Sequence, residues 1–161
     1  MQEKIWDVAV IGGGPAGMMS AGRAAELLRT QTGGAQVILI EKNPTLGVKL
    51  LITGGGRCNV TNAEFDNRKL LEKFKENGKF LFSSFAQWNS KNTLDFFNKR
   101  GMPTKIENEN RAFPTSDSST SVLNVLLNYS KEGGVTILTN SPVLELKKDS
   151  NKITSVVLAD G

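Results

Sequence analysis

The chain has 161 residues, 39% of them hydrophobic, and a formal net charge of +4, enough apolar material for one core and too little charge to require a polyanionic partner. One cysteine, Cys58, and no histidine exclude an internal disulfide, Ser-His or Cys-His nucleophiles and most transition-metal sites within this segment. No apolar run approaches the roughly 20 residues of a membrane span, and no signal-like segment precedes the first apolar run, so the expectation is a cytoplasmic protein with no membrane contact and no bound metal.

In chain order, Ile5–Ile11 is a short apolar run rich in β-branched residues and predicts a buried parallel strand. Pro15 opens a helix to Thr30, with Ala16, Ala21, Ala24, Ala25, Leu27 and Leu28 supplying propensity and a packing face. A polar connection over Gln31–Gln36 leads to a second buried strand, Val37–Ile40, ended by Glu41. Strand, helix and strand over 5–41 make a βαβ unit. A glycine-rich loop occupies 46–62, with Lys49–Ile52 as a short ordered element. Three helices are expected over 66–101: Asp66–Asn77, Lys79–Trp88, and one capped by Ser90 and stopped by Gly101. The aromatic cluster from Phe74 to Phe97 has helical spacing, which favours core packing over a base-stacking surface. Pro103–Phe113 predicts a hairpin or ribbon. A helix capped by Ser116 or Asp117, running from about Ser118 to Lys131, and a third parallel strand, Val135–Leu138, fill 117–139. The start of a β-meander, 142–159, turns at Asp149–Lys152, and Asp160-Gly161 is a further turn signal.

Two glycine runs carry the chemistry. In Gly12-Gly13-Gly14-Pro15-Ala16-Gly17, between strand and helix, Gly12 permits a tight turn, Gly14 lets backbone approach a pyrophosphate and Gly17 lets the helix lie close on the strand. The helix start offers unpaired N–H groups and partial positive charge to phosphates. Glu41 is placed to accept from ribose hydroxyls, and its charge disfavours the 2′-phosphate of NADP in this site. The connection between helix and second strand is longer than the usual fingerprint spacing. The second run, Gly54-Gly55-Gly56-Arg57-Cys58-Asn59, suits backbone laid against an anion or a flat ring, with Arg57 as a phosphate partner and Asn59 as a ring-edge or loop-closing group. Two such runs around one carboxylate-tipped strand point to a long dinucleotide held at two places, with FAD the leading candidate. Cys58 reads as a small buried hydrophobe.

Val10–Gly17, Leu39–Asn43, Leu46-Gly47 and Lys49–Asn62, above all LGVKLLITGGGRCNVTN, resemble the bacterial BaiN-like family of FAD-dependent oxidoreductases, also called YhiN-like or aminoacetone-oxidase-like. Arg111–Asp117 is similar to that family's Arg-Val-Phe-Pro segment, although Asn110 stands where glycine is more usual. The resemblance covers the N-terminal portion of such proteins. It implies an α/β, Rossmann-like FAD-binding domain of glutathione-reductase type, here incomplete, with a helical insertion and the start of a β-meander. It implies FAD held by Gly12–Gly17 and Glu41, with Lys42 and Lys49 near the phosphates, the Gly54–Asn59 loop toward the flavin and Val143 backbone at the adenine. NAD(P)H is implied as reductant, with the flavin then passing hydride to an unsaturated substrate or to oxygen. A small-molecule substrate (a bile-acid-type enone or a small amine) or uridine in ribosomal RNA is implied as the other partner. No acid or base is assigned in this segment, and the isolated chain is expected to retain FAD weakly. The rival readings are a non-catalytic nucleotide-binding module and an inactive truncated remnant.

Overall fold

The computed structural model describes residues 4–32, 34 and 36–159. The Asp160-Gly161 turn and part of the Gln31–Gln36 connection lie outside the described residues. In chain order the elements are β1 (Val8–Ile11), α1 (Pro15–Thr32), β2 (Val37–Ile40), α2 (Val48–Ile52), β3 (Thr61–Asn62), α3 (Asn67–Glu72), α4 (Gly78–Gln87), α5 (Ser90–Lys99), β4 (Thr104–Glu107), β5 (Arg111–Pro114), α6 (Ser119–Glu132), β6 (Thr136–Leu138), β7 (Val143–Asp149) and β8 (Lys152–Leu158). Short 3-10 turns cover Thr53–Gly56, Lys75–Asn77 and Asn108–Asn110. The chain divides into two units, one formed by Leu50–Val125 and the other by the chain up to Lys49 and from Leu126.

The unit that holds both termini is a Rossmann-like α/β fold. Its parallel sheet has the order β1-β2-β6, in register through Val8↔Val37, Ile11↔Ile40 and Ile38↔Thr136. All four residues of β2 are buried, as expected of a central parallel strand of β-branched residues and leucine. The sequence pattern extends the first strand back to Ile5, but Ile5 is 85% exposed and pairing stops at Val8. The reason is local: the Asp7 carboxylate accepts from the Gln36 N–H, and the Asp7 N–H donates to the Gln36 carbonyl, closing the end of the ladder.

Helix α1 runs to Thr32, two residues past the expected end. Met18, Ala21 and Ala25 form its buried stripe at helical spacing. A Cβ on Gly17 would run into the Gly12 carbonyl, and one on Gly22 would meet the Tyr129 ring, so bare backbone lets α1 approach both the turn below it and the last turns of α6. The Ser130 hydroxyl donates to the Met18 carbonyl at 3.2 Å and the Tyr129 hydroxyl donates to Glu26 at 2.6 Å. Gly134, at φ 76°, ends α6. The Val135 N–H donates to the Ser130 carbonyl and the Gly134 N–H to the Lys131 carbonyl, which is the Schellman pattern. β7 and β8 form an antiparallel hairpin from Val143↔Leu158 to Asp149↔Lys152, with register shifts between Val143 and Glu145 and between Lys147 and Lys148.

In the Leu50–Val125 unit the antiparallel sheet β3-β5-β4 carries helices α3, α4 and α5 between its first two strands in sequence. Ala63, Leu94 and Ala112 form a buried cluster there, and Phe96 and Phe97 are buried as well. Three local expectations change. Asp66–Asn77 is not one helix: α3 stops at Glu72 and Lys75 takes φ 52°. The cap of α5 is Asn89, in a reciprocal capping box with Asn92, because Ser90 is 2% exposed and faces the protein. Asp117 does not serve as a free helix cap; it holds φ 52° and its carboxylate accepts from Arg57 and Lys105. Gly17→Val is expected to lower the unfolding free energy by about 1–3 kcal/mol, measured by urea denaturation; an unchanged midpoint would mean that the turn can shift away from the helix.

Candidate functional site

The turn between β1 and α1 is built to leave its outer face bare. Gly12 has φ 103°, and its N–H donates to the Ile40 carbonyl at 2.7 Å, tying the turn to the end of β2. A Cβ on Gly13 would meet Leu46 and Glu41, whereas one on Gly14 would meet nothing within 4 Å. The packed side of the turn is therefore filled and the Gly14 side is open. The Met18 N–H donates to the Gly14 carbonyl at 3.0 Å, so the first helical bond begins there and the N–H groups of Ala16 and Gly17 belong to the first turn, which has no intrahelical acceptor for them. No acidic side chain occupies that turn, and the positive end of an 18-residue helix stays unneutralised by its own sequence.

Glu41 follows β2 and is 8% exposed. Its Oε2 accepts from the Gly13 N–H at 2.6 Å, and its Oε1 accepts from the Asn43 N–H at 2.8 Å and the Asn43 side-chain amide at 2.6 Å. Burial acts most strongly on this carboxyl and raises its pKa. The bonds from Asn43 and Gly13, with the charge of Lys42, together outweigh it and hold the group below its ordinary value. Three of roughly four acceptor positions on a carboxylate are taken, which leaves one on Oε2 for a further donor. Backbone bonds continue the tie: the Gly47 N–H donates to the Gly13 carbonyl, the Ser141 N–H to the Glu41 carbonyl and the Asn140 N–H to the Asn43 carbonyl. Pro15 starts α1, Lys42 and Lys49 are exposed, and Val143 opens β7 half-buried.

In the other unit, Gly54, Gly55, Gly56 and Cys58 all have positive φ, of 56°, 65°, 85° and 60°. Only Cys58 among them has a side chain to strain there, and it is 7% exposed. The Cys58 N–H donates to the Thr53 carbonyl at 3.0 Å, and a Cβ on Gly55 would meet open space. Arg57 is not held free for a phosphate. Its guanidinium bonds to Glu107 and to Asp117, and stacks 4.2 Å from the centroid of the Phe113 ring. Lys105 reaches Asp117 at 2.6 Å and Glu107 at 3.4 Å. The Arg57 bond first, then Lys105, keeps Glu107 below the usual carboxylate range; Lys105 first, then Arg57, does the same for Asp117. These partners lie 50 and 60 residues from Arg57, beyond any local sequence signal. Asn43 was also missed, although a side-chain amide two residues after a strand-ending carboxylate is an Asx-type turn signal.

A model of the family described as HI0933-like protein Rossmann domain matches residues 6–161. The chain is 30% identical over 149 residues to the ribosomal RNA dihydrouridine synthase of Escherichia coli K12, covering 92% of this chain and 35% of that protein. It is 34% identical over 154 residues to the 3-dehydro-bile acid delta(4,6)-reductase of Clostridium scindens, covering 96% and 35%. It thus spans about a third of the length of these curated relatives. Among solved structures, a flavocytochrome c3 fumarate reductase has TM-score 0.61 at 22% identity, covering 95% of this chain and 30% of that one. The L-amino acid deaminase of Proteus vulgaris has TM-score 0.54 at 20% identity, covering 99% and 45%. Both structural likenesses are of fold.

Because the Glu41 pKa is lowered on folding, its contribution to stability is present above the unfolded carboxylate value and is lost as pH falls through the folded one. Glu41→Gln is expected to cost about 1.5–3 kcal/mol at neutral pH and to flatten the acid limb of a stability–pH curve. Parallel wild-type and variant curves would remove this role. Arg57→Gln is expected to speed amide hydrogen exchange across Gly54–Asn59 while leaving α1 unchanged, read by mass spectrometry; equal protection in the variant would mean the loop holds itself.

Proposed function

The chain belongs to the HI0933-like family, and on that premise we propose that it holds FAD for an oxidoreductase that is reduced by NAD(P)H and delivers hydride to an unsaturated substrate. The observation that carries this reading is the Glu41 clamp beneath an open Gly14: a fixed carboxylate with one acceptor position left, beside first-turn N–H groups that have no acceptor within their own helix. The fit to the ADP half of the cofactor is chemical as well as steric. The N–H groups of Ala16 and Gly17 favour the pyrophosphate. Oε2 of Glu41 takes one ribose hydroxyl, and its charge turns away a 2′-phosphate. Lys42 and Lys49 add positive charge, and Val143 offers backbone to adenine.

The Gly54–Asn59 loop is proposed to serve the flavin half, with backbone at Gly55 left bare for close approach and Asn59 supplying a polar edge. Arg57 then acts through Glu107, Asp117 and Phe113 to hold the loop's shape. FAD supplies hydride chemistry once bound. This chain's residues bind it, orient it and set the charge around it. Cys58, buried, is left out of the chemistry.

The names of the two curated relatives support the choice of substrate class. A uridine reduced to dihydrouridine and a 3-oxo bile acid reduced at its 4,6 positions share one feature, a carbon–carbon double bond conjugated to a carbonyl. Hydride addition to such a bond is the reaction proposed here. Titration of the chain with FAD and with ADP, followed by flavin absorbance and calorimetry, tests the binding. Glu41→Ala is expected to weaken both by about 1.5–3 kcal/mol, and ADP lacking the ribose hydroxyls is expected to bind the wild type and the variant alike. Equal affinity of wild type and variant for ordinary ADP would remove Glu41 from the ribose and the clamp from the argument.

A further inference from the structure

Helix α4 presents aromatic rings on its solvent side. At about 100° per residue, Gly78, Leu81 and Phe85 share one arc, and these are the buried and half-buried residues of the helix. Phe82, Lys79 and Phe80 follow in that order over about 160° of the remaining circumference, Phe82 beginning about 40° from Gly78 and Lys79 lying between the two rings. Phe80 is 86% exposed and Phe82 54%. Phe74, just before the Lys75–Asn77 turn, is 44% exposed and lies 6.5 Å from the Phe85 ring. The helical spacing predicts these rings in the core with Phe96 and Phe97; only the latter two are buried.

The charge of the same segment is unbalanced. Between Asn67 and Trp88 there are five basic residues, Arg68, Lys69, Lys73, Lys75 and Lys79, and two acidic ones, Glu72 and Glu76. That surplus of three is most of the whole chain's net charge of +4. Among the described residues, no carboxylate lies within ion-pair distance of any of the five, whereas Arg23, Arg57, Lys91, Lys105 and Arg111 each have one. Lys-Phe-Lys at 73–75 and Lys-Phe at 79–80 alternate cation and ring along the chain.

We propose that the α3–α4 surface is a docking site for single-stranded RNA, with phosphates on Lys73, Lys75 and Lys79 and unpaired bases stacked on Phe80 and Phe82. A ring flanked by ammonium groups that no carboxylate neutralises is the combination that sequence-tolerant binding of single strands uses; of the three, Lys73 bonds only to the neutral Asn62 amide oxygen, at 3.4 Å. An apolar protein partner would leave the surplus charge uncompensated, and a second copy of this chain would bring like charge against it. The choice of RNA over other single strands rests on the proposed function, taking from its two relatives the one named for ribosomal RNA.

The test is fluorescence anisotropy of the full chain with a labelled oligouridylate across a salt series. The comparison is with Phe80→Ala/Phe82→Ala, with Lys75→Glu/Lys79→Glu, and with Lys147→Glu/Lys148→Glu on the β7–β8 hairpin as control. Loss of the two rings is expected to weaken binding at least tenfold at fixed salt. Reversal of the two lysines is expected to weaken it and to lower the slope of log affinity on log salt by about 1 to 2. The control is expected to move neither by a comparable amount, and duplex RNA is expected to compete poorly. No binding by the wild type at low salt, or equal loss in the control and the ring variant, overturns the proposal. So does a wild-type dimer on gel filtration that the ring variant dissociates without changing RNA affinity. FAD binding measured on the same samples separates the two readings: RNA affinity without FAD affinity removes the flavin function and leaves this surface standing, and the reverse removes only this surface.

Discussion

The nucleotide-site unit depends on one carboxylate. Glu41 ends the central strand, and by accepting from the Gly13 N–H it fixes the turn between β1 and α1 against the end of β2. A Cβ on Gly13 would enter the space where that bond and Leu46 sit, so the glycine is needed on the packed side for contact, while Gly14 is bare on the open side. Burial alone would favour a neutral carboxyl. Bonds from Asn43 and Gly13 reverse that preference, and the charge they stabilise is the same charge that the proposed function uses to favour a free ribose hydroxyl over a phosphorylated one. Structural tie and ligand selectivity thus share one ionised group.

The second glycine run solves a different problem. Four of the five residues Gly54–Cys58 lie in the left-handed region, where a chain with side chains would resist. Arg57, the exception in φ, fastens the loop from outside through two carboxylates and an aromatic face. Each of these charges is partly open to solvent, so the value of the cluster lies in geometry more than in stability. An arginine suits this duty because its planar fork meets two carboxylates while its face stacks on Phe113, which a lysine at the same position would not reproduce.

How much of this was legible in the sequence follows the range of the interactions. Elements whose cause is local were readable: the β-branched run of β2, the strand–glycine–helix turn, the Gly134 stop of α6, and the β7–β8 turn. Motif spacing also carried Glu41 to the end of its strand. Position errors arose where a neighbour in space decided the outcome. Ser90 looks like a cap but is buried, leaving Asn89 to cap; Asp117 looks like a cap but is claimed by Arg57 and Lys105. Arg57 looks available to a phosphate until Glu107 and Asp117 arrive from far along the chain. The aromatic run misled for a related reason: periodicity shows that a helix has sides, but only the fold shows which side is covered.

The family and the fold bound the chemistry without choosing the substrate. Reductases and deaminases named for different substrates share the architecture of this chain, which is expected when a common nucleotide cradle is reused and specificity is grafted elsewhere. Nothing in the role proposed for Glu41 distinguishes one unsaturated substrate from another, because that role concerns only a ribose and two phosphates. Selection must come from groups outside the cradle, and one uneven stretch of the sequence is 67–88, where a surplus of three positive charges lies beside uncovered rings. A cradle common to proteins that act on different molecules leaves their differences to residues it does not include.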